Sequence, residues 1–182
     1  MSTALIPLAE GVEEMEAVIV ADTLRRANWG VTLAGIEPGP VTASRGVMLL
    51  PDTAWEDCDP MAADVIVLPG GGPGTKRLHQ HPGVREALRA RAARGDWIAA
   101  ICAAPMVLHA AGILEGRSAT CYPGCEAGLE GTDWRPDPVV VDGHIVTSRG
   151  PGTAMAFALK LIECLDGADN ARNVAAGMLA DS

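Results

Sequence analysis

Five cysteines, at positions 58, 102, 121, 125 and 164, are the side chains of this sequence best suited to covalent chemistry. Cys102 stands out by its surroundings. It follows the apolar run Trp97-Ile98-Ala99-Ala100-Ile101 and precedes Ala103-Ala104-Pro105-Met106-Val107-Leu108. The run predicts a buried strand, the small residues permit a tight turn, and Pro105 suits the first turn of a helix, where its missing N–H costs least. That places Cys102 on a strand-to-helix elbow of the kind that presents a nucleophile. Free N–H groups and partial positive charge at a helix start favour thiolate over thiol, so the sequence predicts a depressed pKa and preferential oxidation at this cysteine. A structural cysteine more often lies within an element than on its corner. Cys164, near the end of a helical pattern, reads as packed.

A cysteine nucleophile needs a group that moves its proton. Histidines at 79, 81, 109 and 144 are scattered, and none forms a Cys–His dyad by spacing, which argues against a papain-like protease. Glu13, Glu14 and Glu16 open the first helical pattern. The first two read as partners of the helix dipole on an exposed turn. Glu16 points to a different face and could lean across the sheet edge toward Cys102, though the pattern also suits a surface carboxylate. The run Pro69-Gly70-Gly71-Gly72-Pro73-Gly74 lacks both the Gly-Lys-Ser/Thr ending of a phosphate loop and dinucleotide GxGxxG spacing. It can aim backbone N–H groups, that of Gly71 above all and Gly72 beside it, at an oxyanion near Cys102. It also fits a plain turn of positive-φ glycines.

The elements that must position these groups alternate. Ala4–Ala9, Val31–Ile36, Ala63–Leu68 and Trp97–Ile101 read as strands, and the continuous apolar run 63–68 suits a sheet covered on both faces. Met15–Ala27 is a helical pattern with Met15, Val18 and Ile19 on one face. A helix spans about 82–94, another ends near Gly112, and Pro151 opens a long final one. Val47–Leu50 looks like a small antiparallel excursion. Ser118–Cys121, Val139–Val141 and His144–Ser148 are further strands, with Asp142-Gly143 a hairpin turn. This order predicts one α/β domain over residues 1–182, a mostly parallel sheet with helices on both faces. Ligands of such folds gather at the carboxyl ends of the strands. The loop 10–16, the glycine run, the elbow and Cys121-Tyr122-Pro123 all fall there.

The bulk composition sets limits. With 182 residues, 48% hydrophobic and 20% charged, the chain can bury a sizeable core. A net charge of −9 argues against nucleic acid and anionic membrane surfaces as partners. No cationic segment precedes an apolar one at the N-terminus, and no stretch approaches membrane-spanning length, so a cytoplasmic location is expected. The odd cysteine count argues against a disulfide framework. Cys121 and Cys125 lack a second ligand pair at matching spacing, so no metal is expected.

Taken in order, five segments resemble the ThiJ/PfpI superfamily, in its DJ-one (Parkinsonism-associated deglycase) branch with bacterial relatives. They are Glu13-Glu14-Met15-Glu16-Ala17-Val18, Ser44-Arg45-Gly46-Val47, Val67-Leu68-Pro69-Gly70-Gly71, Ala99-Ala100-Ile101-Cys102-Ala103-Ala104-Pro105 and Thr147-Ser148-Arg149-Gly150-Pro151-Gly152-Thr153. The resemblance implies a flavodoxin-like sandwich of the class I glutamine amidotransferase-like type, with a nucleophile elbow. It implies a cofactor-independent glyoxalase or deglycase acting on 2-oxoaldehydes such as methylglyoxal and glyoxal, or on their adducts. Cys102 matches the nucleophile and Glu16 a protonated glutamate at the sulfur. The N–H groups of Gly71 and Ala103 match the oxyanion donors. Arg45 and Arg149 match arginines near the site or a dimer contact, and a homodimer is implied. Tyr122 stands where human-type members carry a histidine, and a phenol titrating near ~10 is a poor base at neutral pH. Ala103 replaces the histidine of protease-like members, which disfavours peptidase activity. The competing implication is an oxidative-stress sensor or redox-regulated chaperone that uses the same cysteine.

Overall fold

The apolar runs become strands because each can bury alternate side chains on two faces. The computed structural model describes residues 1–180; positions 181–182 of the expected 1–182 domain lie outside the described residues. Strands β1 (Thr3–Leu8) and β2 (Gly30–Gly35) flank helix α1 (Glu14–Arg26). Strands β3 (Val41–Thr42) and β4 (Met48–Leu49) form the antiparallel excursion, and β5 (Thr53–Ala54) returns to the main sheet. There follow β6 (Val65–Leu68), α2 (Gly72–Gln80), α3 (Pro82–Arg94), β7 (Trp97–Ile101) and α4 (Pro105–Ala110). Short strands β8 (Ser118–Ala119) and β9 (Asp133–Trp134) pair on their own. The hairpin β10 (Val139–Asp142) and β11 (Ile145–Ser148) leads into α5 (Ala154–Asp166) and α6 (Ala168–Gly177).

The main sheet has seven strands in the order β10-β11-β7-β6-β1-β2-β5. Every neighbouring pair is parallel except β10 with β11. Ile6, Leu8, Val65, Val67, Ala99 and Ile101 face one core, which α1, α5 and α6 cover. Leu5, Ile66, Leu68, Ile98 and Ala100 face the other, under α2, α3 and α4. From β1 the chain crosses to β2 on one side, whereas β6 leads to β7 on the other. The crevice at the carboxyl ends of β1 and β6 is therefore the switch point at which ligands of this architecture collect.

Three expectations need correction. The glycine-rich run is not all loop, because α2 begins at Gly72 with Pro73 in its first turn, where a ring in place of an N–H costs nothing. The final helix is two helices, broken at Gly167 in a left-handed conformation (φ 89°). Ser118–Cys121 gives only β8, which joins β9 and not the main sheet. On α1, Met15 and Val18 do share a face, which is the outward one, and the buried stripe is Glu16, Ala17, Val20, Ala21 and Leu24. A glutamate thus occupies the core face of a helix, an arrangement that costs free energy unless the carboxyl is partnered or neutral.

Candidate active site

The elbow forms as its residues demand. β7 delivers Cys102 to the edge of the sheet, and Pro105 starts α4 three residues later. Cys102 itself takes φ 65°, a left-handed conformation that a side chain other than glycine adopts only at a cost of ~1–3 kcal/mol. Two backbone hydrogen bonds hold it there. Its N–H donates to the Ser148 carbonyl at 3.0 Å, and its carbonyl accepts from the Tyr122 N–H at 2.8 Å. Strand β11 and the segment after β8 therefore clamp the elbow from both sides.

Glu16 arrives from the first turn of α1 with no exposed surface. Its Oε2 accepts from the Gly70 N–H at 2.7 Å, and Oε1 has no nitrogen or oxygen partner among the described residues. Only glycine fits at position 70. A Cβ there would lie 2.5 Å from Cys102 Cβ, 2.8 Å from Glu16 Oε2 and 3.1 Å from Cys102 Sγ, so carboxyl and sulfur close around one point. Gly71 is equally constrained. Its φ is 89°, and a Cβ would lie 2.3 Å from the Gly11 carbonyl oxygen. The loop after β1 and the loop after β6 are packed backbone to backbone, and the Glu13 N–H donates to the Gly70 carbonyl at 3.0 Å.

Burial is the largest influence on both titrating groups. It pushes the Glu16 carboxyl up from 4.5 to about 7, against the Gly70 N–H and the sulfur, which favour the carboxylate. It also pushes the Cys102 thiol up to about 12, with the Glu16 charge adding to the rise and the N–H groups of Gly71 and Ala103 opposing it. The depressed thiol pKa expected from the helix start is not what the fold provides. The helix α4 is only six residues long, and Cys102 is 8% exposed, so desolvation outweighs the dipole. Near neutral pH this order leaves the proton on the sulfur, next to a carboxyl that titrates in the same range. Such an arrangement can serve general-base chemistry with no need for a standing thiolate.

Of the sequence-predicted residues, the structure brings together Cys102, Glu16, Gly71 and Ala103. Gly72 sits beside them as the first residue of α2. Tyr122 is 48% exposed; its ring lies over Gly150 and its backbone serves the elbow. Arg149 donates to the Pro136 carbonyl at 3.3 Å, and Arg45 is exposed. Neither arginine makes a hydrogen bond to the sulfur or to Glu16 among the described residues. Glu14 is not an exposed dipole partner. It is buried and accepts from Ser44 Oγ and from the Arg45 N–H, both at 2.9 Å, and these bonds lower its pKa against the effect of burial. Glu13 caps α1 by accepting from the Glu16 N–H at 2.8 Å. The residue that sequence reasoning undervalued is Gly70, whose N–H anchors the acid. No group of three or more His, Cys, Asp or Glu gathers to hold a metal among the described residues, and no helix there is long and apolar enough to cross a membrane.

A profile of the DJ-1/PfpI family matches residues 2–164. This chain belongs to that family. Within the family it is similar to Protein dj-1beta of Drosophila melanogaster, at 46% identity over 180 residues, covering 97% of this chain and 96% of that one. The crystal structure of Drosophila melanogaster DJ-1beta superposes with a TM-score of 0.96 at 45% identity, over 100% of both chains. A Caenorhabditis elegans relative named glutathione-independent glyoxalase DJR-1.2 is 37% identical over 174 residues, covering 94% of this chain and 93% of that one. The fold is thus the flavodoxin-like α/β sandwich of the DJ-1 structures.

Proposed function

We propose that this protein is a glutathione-independent glyoxalase, converting methylglyoxal to lactate and glyoxal to glycolate, with the same chemistry available to 2-oxoaldehyde adducts of amines and thiols. The observation that carries the reading is the buried Glu16 carboxyl, held at about 7 against the Cys102 sulfur, with the N–H groups of Gly71 and Ala103 approaching the same atom. Glu16 as carboxylate takes the thiol proton while Sγ bonds to the aldehyde carbon. The new oxyanion, stabilised by the two N–H donors, takes up that proton to give a neutral hemithioacetal. The carboxylate then removes the proton from C1 and returns it to C2, which turns the hemithioacetal into a thioester of lactate. Water hydrolyses the thioester, giving lactate and restoring the thiol. Electrons balance within the substrate, as the aldehyde carbon is oxidised and the ketone carbon reduced, so no external redox partner enters.

The name of the Caenorhabditis elegans relative, a glutathione-independent glyoxalase, supports this reading. A redox-sensor role would use an accessible thiolate, and a thiol 8% exposed and pushed up to about 12 fits that role less well. The direct test is lactate formation from methylglyoxal with no glutathione present, before and after dialysis against a chelator. Equal turnover in both samples is expected. Absence of lactate, or a loss restored by zinc, would overturn the proposal.

We further propose a homodimer through the outer face of α1 and the β3–β4 excursion, where Met15, Val18, Val47 and Met48 are 48–67% exposed on adjoining segments. Sedimentation equilibrium should give twice the chain mass, and Met48→Glu with Val18→Glu should give the monomer. A monomeric wild type would end this proposal.

A further inference from the structure

A cavity of about 500 Å³ lies between α2 and α4. Pockets that enclose whole drug-sized ligands run from ~300 to 1,000 Å³, and a three-carbon aldehyde would fill only a small part of this one. Its near wall is Gly72 and Ala103, and the Ala103 N–H is one of the two that approach the Cys102 sulfur. Gly72 faces open space, since a Cβ added there would meet nothing within 4 Å.

The lining says what would fit. Val107 and Ala110 give an apolar floor suited to a ring or chain. Lys76, His79 and His109 also line the cavity, and no carboxylate does, in a chain whose net charge is −9. Lys76 takes part in no ion pair among the described residues. His109 is held by the Glu130 carbonyl at 2.7 Å from Nε2. Thr75, also on the wall, is 7% exposed, and its hydroxyl has no hydrogen-bond partner among the described residues. A buried hydroxyl without a partner is costly in a finished core and useful beside a ligand that accepts from it.

We propose that this cavity is a second substrate subsite, taking the apolar body and terminal carboxylate of a 2-oxoaldehyde whose aldehyde carbon lies at Cys102. As a substrate assignment it rests on the glyoxalase reading; as a binding site for an apolar carboxylate it does not. The test therefore begins with a probe that cannot react. Wild-type protein should bind 3-phenylpropionate, seen as chemical-shift changes at Thr75, Lys76 and Ala110. Ala110→Trp, which fills the cavity from an exposed position, and Lys76→Glu, which reverses its charge, should each weaken binding by about tenfold or more. The neutral 3-phenylpropan-1-ol should lose affinity only in Ala110→Trp. In turnover, the ratio of kcat/KM for 4-carboxyphenylglyoxal to that for methylglyoxal should fall about tenfold in both variants. Binding of the probe that neither variant weakens, or no binding to wild type, would overturn the subsite while leaving methylglyoxal turnover intact. Probe binding with the expected pattern but no turnover of either aldehyde would uphold the site and overturn the glyoxalase reading.

Discussion

Cys102→Ser is expected to reduce lactate formation from methylglyoxal on the order of 10⁴-fold or more, the scale on which removing a covalent nucleophile acts. The serine hydroxyl would occupy the same elbow and keep the same backbone bonds to Ser148 and Tyr122. It loses a far less acidic proton than a thiol, however, and a carboxyl at about 7 cannot remove it usefully. Stability in urea should change by less than about 1 kcal/mol, because the substitution removes no packed methyl group. Lactate assayed over time in both proteins settles the matter. Retained turnover in Cys102→Ser would mean that the sulfur is not the nucleophile and that chemistry occurs elsewhere.

The second large effect is expected from Glu16→Gln, and it has two independent readouts. The glutamine oxygen can still accept from the Gly70 N–H, but the amide cannot carry a proton between sulfur and carbon. Turnover should fall by roughly 10²–10⁴-fold, the worth of a positioned acid–base group. Stability should respond to pH as well. In the folded wild type the carboxyl is raised from 4.5 to about 7, so the unfolded chain ionises first. The stability contributed by neutral Glu16 is complete below about pH 4.5 and is lost as pH rises toward 7. At about 1.4 kcal/mol per pKa unit the loss is on the order of 3 kcal/mol, and Glu16→Gln should abolish that slope. Urea denaturation at pH 5 and pH 8 measures it. Equal turnover and an equal pH slope in variant and wild type would remove Glu16 from the mechanism.

The strand run 97–101, the elbow after it and the turn Asp142-Gly143 were legible because apolar content, small residues and turn chemistry agree locally. The α2 helix was not, since four glycines and two prolines within six residues mask a helix that tertiary packing on α4 and the sheet supports. Which face of α1 is buried was not legible, for a physical reason. Met15 and Val18 share an outward face while Glu16 is the buried residue, and the cost of burying it is tied to the chemistry proposed for the site. The residue types of the cysteine and glutamate could be read from the chain. Their proton balance could not, because burial is a property of the assembled crevice and not of sequence spacing. The link from Glu14 to Ser44 and Arg45 likewise joins segments that no local pattern connects.

The left-handed backbone at Cys102 bears on how this chain can change over evolutionary time. Among the described residues only Asn28, Cys102 and Leu179 adopt such a conformation without being glycine. Asparagine tolerates it, whereas a cysteine does not gain from it. Selection for stability alone would drift position 102 toward glycine, which relieves the strain and forfeits the sulfur. A cysteine kept there marks a position where fitness runs against thermodynamic optimisation. Stabilising substitutions elsewhere in the core are then the reserve that lets the strained elbow persist.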